Sequence, residues 1–264
     1  MSLGAIHAHS NYSDGEFTLA ELRRIFTSAG CCFLCTSDHA EAFDEEKLGG
    51  YISECQSLSD ERFQFIPGLE YECESRIHIL GYGVTSLMRT KDPIEVIRRI
   101  NDLGGISVIA HPPSWAFESI ELFGGQLKGI EVWNSKYDGR YAPRPGTFQL
   151  LHKMRERSPN LHAYYGLDLH WKRQFRGLFI EMNCGGFSRS EVLEALSSGN
   201  YWGVCAGQQF PSSGRLPSAL IARFATVHGR SSQFRRFAKR CMKFLDQTGL
   251  RVPVPIKDQL RRFF

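Results

Sequence analysis

The stretch Ile6-His7-Ala8-His9-Ser10-Asn11-Tyr12-Ser13-Asp14-Gly15 follows a short apolar run, residues 3–6, that reads as a strand of a few residues. In a strand, side chains i and i+2 share a face, so His7 and His9 are expected to project the same way. Two imidazoles at one rigid strand end make a pair of ligands for one cation. Asp14 follows in a polar turn with Gly15, close enough to fold back toward the same mouth. An isolated His-x-His is more often two ordinary histidines. The reading therefore turns on whether ligand-type residues recur at other strand ends.

They recur in order along the chain. Asp38-His39 closes the apolar run 32–36, and Glu70 closes 63–69. His78 opens the run 78–83, and His111 closes 105–110 ahead of Pro112-Pro113. Asp168 and His170 close 161–167. Helical patterns separate these runs. Residues 18–26 carry apolar positions at helical spacing behind Thr18, with Glu21 completing a capping box. Further helices are expected over 43–58, 93–103, 147–157 and 190–198, and further strands over 129–133, 178–182 and 201–205. This alternation predicts an α/β architecture with mostly parallel strands. Ligand-type residues gather at the carboxyl ends of the strands, the face that carries the chemistry in parallel barrels. Periodicity alone fits a barrel and an open doubly wound sheet equally.

The chain has 264 residues, enough for a full-sized core, and its 42% hydrophobic and 23% charged content is that of a soluble globular protein. No apolar run reaches the length of a membrane span, and no secretory signal pattern opens the sequence. Several of the eight cysteines fall in apolar runs, as small core residues of a reducing, cytoplasmic compartment. Cys32-x-x-Cys35 lies inside a strand pattern rather than before a helix and reads as core, not as a redox or zinc pair. No nucleophilic serine signature, phosphate-binding glycine loop or dinucleotide fingerprint is present. The overall charge of +4 hides an asymmetry: residues 208–264 hold twelve Lys/Arg against two acidic residues, leaving the rest net negative.

The ordered series of His, Asp and Glu at strand ends resembles the PHP (polymerase and histidinol phosphatase) family of metal-dependent phosphoesterases, over roughly residues 4–205. The resemblance implies a distorted (β/α)7 barrel over 1–207, with 208–264 as a basic helical C-terminal extension. It implies two or three divalent ions of manganese, iron or zinc. His7, His9, Glu70 and Asp168 match the ligands of one cation. Glu70, His78 and His111 match a second, with Glu70 bridging, and Asp14, His39 and His170 match a third. The implied reaction is hydrolysis of a phosphate ester by a metal-activated hydroxide, with Glu70, Asp168 and His170 at its centre. The implied substrate is a nucleotide, an oligonucleotide or a small phosphorylated metabolite. A protein tyrosine or histidinol-phosphate phosphatase of the same family is the alternative. The short segment 84–105 departs from the nucleotide-cleaving branch, where a larger helical insertion is common.

Other residues have two readings each. Asp38 is a helix cap or orients a ligand loop. Glu131, in Gly129-Ile130-Glu131-Val132-Trp133, orders the cluster from behind or forms a salt bridge. Arg140 and Arg144, in the cationic and aromatic loop 136–146, grip a phosphate or face water. Lys172 and Arg173 are candidates of the same kind. In the tail, Phe234, Phe237, Ala238, Cys241, Phe244 and Leu245 form one face of a helix among basic residues. That helix is expected to pack its aromatic stripe on the barrel. A barrel recruited to an anionic membrane or nucleic acid through this helix is the competing reading.

Overall fold

The computed structural model describes residues 1–123, 125–183 and 186–247. In chain order these form β1 (Ser2–Ala8), α1 (Leu19–Ser28), β2 (Phe33–Thr36), β3 (Asp38–His39), α2 (Glu45–Ser57), β4 (Gln64–Ile66) and β5 (Gly68–Glu72). Next come β6 (His78–Tyr82), α3 (Pro93–Asp102), β7 (Ile106–Ala110), α4 (Phe117–Glu121), β8 (Gly129–Asn134), α5 (Ser135–Asp138), α6 (Pro145–Arg155) and β9 (His162–Gly166). The remainder is β10 (Leu178–Met182), α7 (Arg189–Ser198), β11 (Tyr201–Cys205), β12 (Gln208–Pro211) and α8 (Ser218–Gln247).

Several helices begin where a side chain can satisfy the first backbone N–H groups. Thr18 caps α1 with Glu21 reaching back, and Ser188 with Glu191 does the same for α7. Asp44 accepts from Lys47 N at the start of α2, so that helix begins two residues later than its apolar pattern. Asp92 caps α3 ahead of Pro93.

The strands form two six-stranded sheets, β12-β11-β10-β1-β2-β4 and β3-β5-β6-β7-β8-β9. The chain passes between them four times: from β2 through Ser37 into β3, from β3 through α2 to β4, from β4 through Pro67 into β5, and from β9 to β10. Residues after β9 return to β1: Leu167 N donates to Ile6 O at 3.1 Å and His9 N to Leu169 O at 2.9 Å. Fully buried Ile6, Leu34, Ile66, Leu69, Leu80, Val108 and Ile130 fill the centre, each contributing on the order of 1.5–3 kcal/mol by leaving water.

The strands are not mostly parallel, as expected from the sequence. Antiparallel pairings are as numerous as parallel ones, with β6 antiparallel to both β5 and β7, and β10, β11 and β12 antiparallel beside β1. Residues 73–77 between β5 and β6 are too few for a parallel crossover. Ala206 and Gly207, both at positive φ, close β11 on β12 as a tight hairpin. Gln208, the expected start of a separate extension, therefore opens a sheet strand.

The C-terminal helix forms, but its packing differs from expectation. Phe224 is buried against Phe148, Phe210 and Trp133. Farther along, Phe234, Phe237 and Phe244 are 51, 64 and 64% exposed. A helix of 30 residues is about 45 Å long. The stretch with Pro253, Pro255 and residues 260–264 lies outside the described residues.

Candidate metal centre

Glu70, on β5, is 1% exposed and lies at the centre of a histidine cluster. Its Oε1 is 2.8 Å from His78 Nδ1 and 3.1 Å from His111 Nε2. Its Oε2 is 3.3 Å from His9 Nε2, and 3.5 Å from both His7 Nε2 and His39 Nδ1. The two oxygens of one carboxylate thus face two separate sets of imidazoles. Asp168 Oδ1 is 3.2 Å from His170 Nδ1, 3.7 Å from His9 Nε2 and 3.8 Å from His7 Nε2, while Oδ2 is 3.7 Å from His111 Nε2. Asp14 Oδ1 is 3.3 Å from His170 Nε2, 3.6 Å from His39 Nε2 and 3.7 Å from His9 Nδ1. All nine ligand-type residues singled out in the sequence meet at one place. His9 faces both Glu70 and the Asp14 group, so it joins two of the expected ligand sets rather than one.

Irregular backbone aims these side chains. His7 has φ 62° at a register shift between Ile6 and Ala8, and β1 ends at Ala8. The two histidines converge through this bulge, not through simple strand alternation. His111 (φ 27°) and Asp168 (φ 52°) also leave regular strand geometry. His78 reaches the same rim from the amino end of its strand because β6 runs antiparallel.

A ring of buried partners holds the ligands from behind. Glu131 Oε1 accepts from His7 Nδ1 at 2.8 Å, which turns Nε2 toward the centre. Its Oε2 accepts from His111 N and from Asn134 Nδ2, both at 2.8 Å. Glu131 fits only because residue 166 is glycine: a Cβ there would lie 1.7 Å from Glu131 Oε1. Asp38 accepts from Ser10 and Ser13, through both backbone and side chain, and so pins the loop between His9 and Asp14.

Burial would raise the Glu70 and Asp168 carboxyls, but the His7 charge and bonds from surrounding imidazoles hold both well below the usual carboxylate range. Burial likewise opposes charge on His7, yet Glu131, Asp168 and Glu70 together raise its pKa well above the ordinary imidazole value. His9 goes the other way, driven down to about 3 by burial. His7 Nε2 and both ring nitrogens of His9 are buried without a hydrogen-bond partner. Buried imidazole nitrogens left unpaired beside ionised carboxylates are an arrangement that a bound cation would satisfy. Their mixed nitrogen and oxygen donors suit first-row divalent metals, so the residues fit a bound metal.

No protein-family model matches the chain. Among solved structures, it superposes on a two-domain protein from Bacteroides vulgatus ATCC 8482, described as containing a predicted PHP-like metal-dependent phosphoesterase. The TM-score is 0.55 at 15% identity, over 77% of this chain. The two proteins share a fold. The match spans 64% of the Bacteroides protein's length. The fold is also shared with PsfC from Pseudomonas syringae PB-5123, at TM-score 0.51 and 14% identity, covering 88% of this chain and 98% of that one.

The expected phosphate-gripping residues have other partners or face water. Arg144 Nε donates to buried Asp138 at 2.5 Å, so its guanidinium neutralises a carboxylate of the loop. Arg140 is exposed and forms no ion pair with the cluster. Lys172 is exposed, and its backbone N–H bonds Glu16. Sequence reading missed Lys136, whose Nζ is 3.0 Å from Asp168 Oδ1 and 3.4 Å from both ring nitrogens of His170. It also missed Asn134, which bonds Glu131 and Asp168 and caps α5. Their signal, Asn two residues before Lys at a strand end, is that of any helix start. A cleft of about 960 Å³, lined by Lys128, Arg157 and His162 among others, lies where β7, β8 and β9 begin, away from this rim.

Proposed function

We propose that the protein is a metal-dependent phosphoric ester hydrolase on a distorted (β/α)7 barrel. In this reading β1, β2–β3, β4–β5, β6, β7, β8 and β9 are the seven staves, and the bonds between β1 and residues 167–169 close the ring. The observation that carries the activity is Glu70, whose two oxygens face separate imidazole sets in a site with unpartnered buried nitrogens. Glu70 would serve two metal positions, since a carboxylate has lone pairs on two oxygens where an imidazole nitrogen has one. His7, His9 and Asp168 would complete one position, His78 and His111 the next, and Asp14, His39 and His170 a third. Bound divalent cations supply Lewis-acid neutralisation of phosphoryl oxygens and a nucleophile at neutral pH.

The chain's own groups do the rest. Glu131 holds His7 in one tautomer, with its proton on Nδ1 and Nε2 turned inward. Lys136 brings a fixed positive charge to the edge of the cluster, where a phosphoryl oxygen needs one. Small phosphorylated metabolites and nucleotides are the substrate class. Elemental analysis of protein purified without chelator, paired with hydrolysis assays on phosphate mono- and diesters, tests the proposal. The expected result is at least two equivalents of divalent metal and ester hydrolysis that chelator abolishes. Metal-free protein that gains no activity with manganese, iron or zinc ends it.

A further inference from the structure

The two halves of α8 meet different surroundings. Leu220, Ile221, Phe224 and Val227 pack on the hydrophobic interior, and among the described residues Val227 is the last of this helix to do so. Residues 230–247 carry six Lys/Arg against Asp246 alone. Within them, five exposed side chains fall in a fixed order: Arg230, Phe234, Phe237, Arg240 and Phe244, at steps of four, three, three and four residues. Those steps bring helical side chains together on one face. At about 100° per residue the five share about a third of the circumference, along about 21 Å of helix axis.

Large apolar side chains held in water on so cationic a segment call for a partner that accepts both. A nucleic acid duplex would engage the guanidinium groups and leave the rings in water. A single strand stacks its bases in a cationic groove, whereas a helix face is convex. A second copy of α8 would cover the rings but bring two cationic segments together. An anionic bilayer takes both kinds of group: the rings enter the acyl boundary while basic side chains reach headgroup phosphates on flexible stems. Among the described residues no helix is long and apolar enough to cross a membrane, so the contact runs along the surface.

We propose that the second half of α8 lies in the plane of an anionic lipid bilayer and holds the folded body at its surface. Phe234, Phe237 and Phe244 enter the acyl boundary, with Arg230, Arg236 and Arg240 at the headgroups beside them. The inference goes beyond the hydrolase reading and is independent of it, since adhesion to lipid needs neither metal nor turnover.

The test measures cosedimentation of the full chain with vesicles of phosphatidylcholine alone, and of phosphatidylcholine with about one part in four phosphatidylserine. Wild type should bind the serine vesicles about a hundredfold tighter, from about fivefold for each of three arginines. Most of that difference should vanish at about 1 M salt, where the Debye length is about 3 Å. Phe237→Ala and Arg240→Gln alter exposed side chains, and their circular dichroism should match wild type. Phe237→Ala should weaken serine-vesicle binding about tenfold, and Arg240→Gln about fivefold. Phe237→Trp should show a blue shift of emission on these vesicles, beyond that of wild type, as its ring leaves water. Equal binding to both vesicle types overturns the proposal. So does a Phe237→Ala variant within about twofold of wild type, which would reduce the contact to charge alone. Salt-sensitive binding to DNA by protein that ignores vesicles makes nucleic acid the partner and overturns it too. A dimer that Phe237→Ala dissociates, and that binds no vesicles, does the same.

Discussion

The two ends of the central strands invite comparison. Where β7, β8 and β9 begin, the surface holds a cleft of about 960 Å³. Its exposed Arg157 faces water, and the pKa of its buried histidine, His162, is lowered by burial and by Arg155 and Lys128. Where the same strands end stands the histidine and carboxylate cluster. There His7, His111 and Asp168 are held at positive φ, each costing about 1–2 kcal/mol. Two ionised carboxylates are buried there among imidazoles. Open volume is cheap to make. Strained backbone and buried unpaired nitrogens are not, and they persist only where the surrounding structure enforces them. Chemistry follows the second end.

The sharpest way to break this contrast is at Glu70. Glu70→Gln keeps the shape but removes the charge that faces five imidazoles. Turnover should fall by about two to four orders of magnitude, as when one partner of a buried charge pair is lost. Bound metal should fall in parallel. Normal kcat with full metal content would remove Glu70 from the centre.

The next largest effect is expected from a residue with no functional group. Gly166→Ala puts a methyl into the space of Glu131 Oε1 and 3.0 Å from His7 Cβ. Overpacking costs about 1–3 kcal/mol, and displacing the carboxylate that orients His7 should weaken metal affinity by about 10–100-fold. Thermal unfolding and metal titration read the two separately. If stability drops while metal affinity holds, Glu131 does not orient His7.

These two residues also show what a sequence discloses. Glu70 is legible because an apolar run stops at it, and a buried strand that ends in a carboxylate needs a reason. The same logic finds His39, His111, Asp168 and His170. Gly166 is silent, since nothing in the chain marks which glycine faces a side chain from another strand. The direction of β6 is also concealed, although His78 at its amino end is the clue: only an antiparallel strand brings that end to the shared rim. Lys136 carries no periodic signal, because its role depends on where α5 meets the residues that follow β9. Arg144 misleads for the opposite reason. Its loop reads as a phosphate grip until Asp138 is seen beneath it.

A smaller effect separates the ends by pH in metal-free protein. His9 stays neutral in the fold down to about 3, whereas its ordinary value is 6.5. Between those values the unfolded chain binds a proton that the fold refuses, so stability is lost as pH falls. Glu70 and Asp168, whose pKa values are depressed, act with the same sign at the acid end, losing their contribution as pH falls through their folded values. His7, raised, contributes fully below 6.5 and loses its contribution as pH rises through its folded value. Denaturant titrations of chelated protein should therefore peak near neutrality, with an acid slope of about 1.4 kcal/mol per pH unit for each proton taken up. A profile that is flat from pH 4 to 8 contradicts the charge assignments.

The least effect is expected at the larger cleft. Arg157 is exposed there and makes no ion pair among the described residues. Arg157→Ala should change stability by no more than about 0.5 kcal/mol and leave kcat/KM and metal content unaltered. The strands that join the two ends are about 17 Å long, from five residues each at roughly 3.3 Å per residue, well beyond the Debye length of about 8 Å at physiological salt. A surface charge at one end therefore has no electrostatic route to the other. A measured loss of turnover in Arg157→Ala would mean that the two ends are coupled through the packed strands themselves, and that the larger cleft takes part in the chemistry after all.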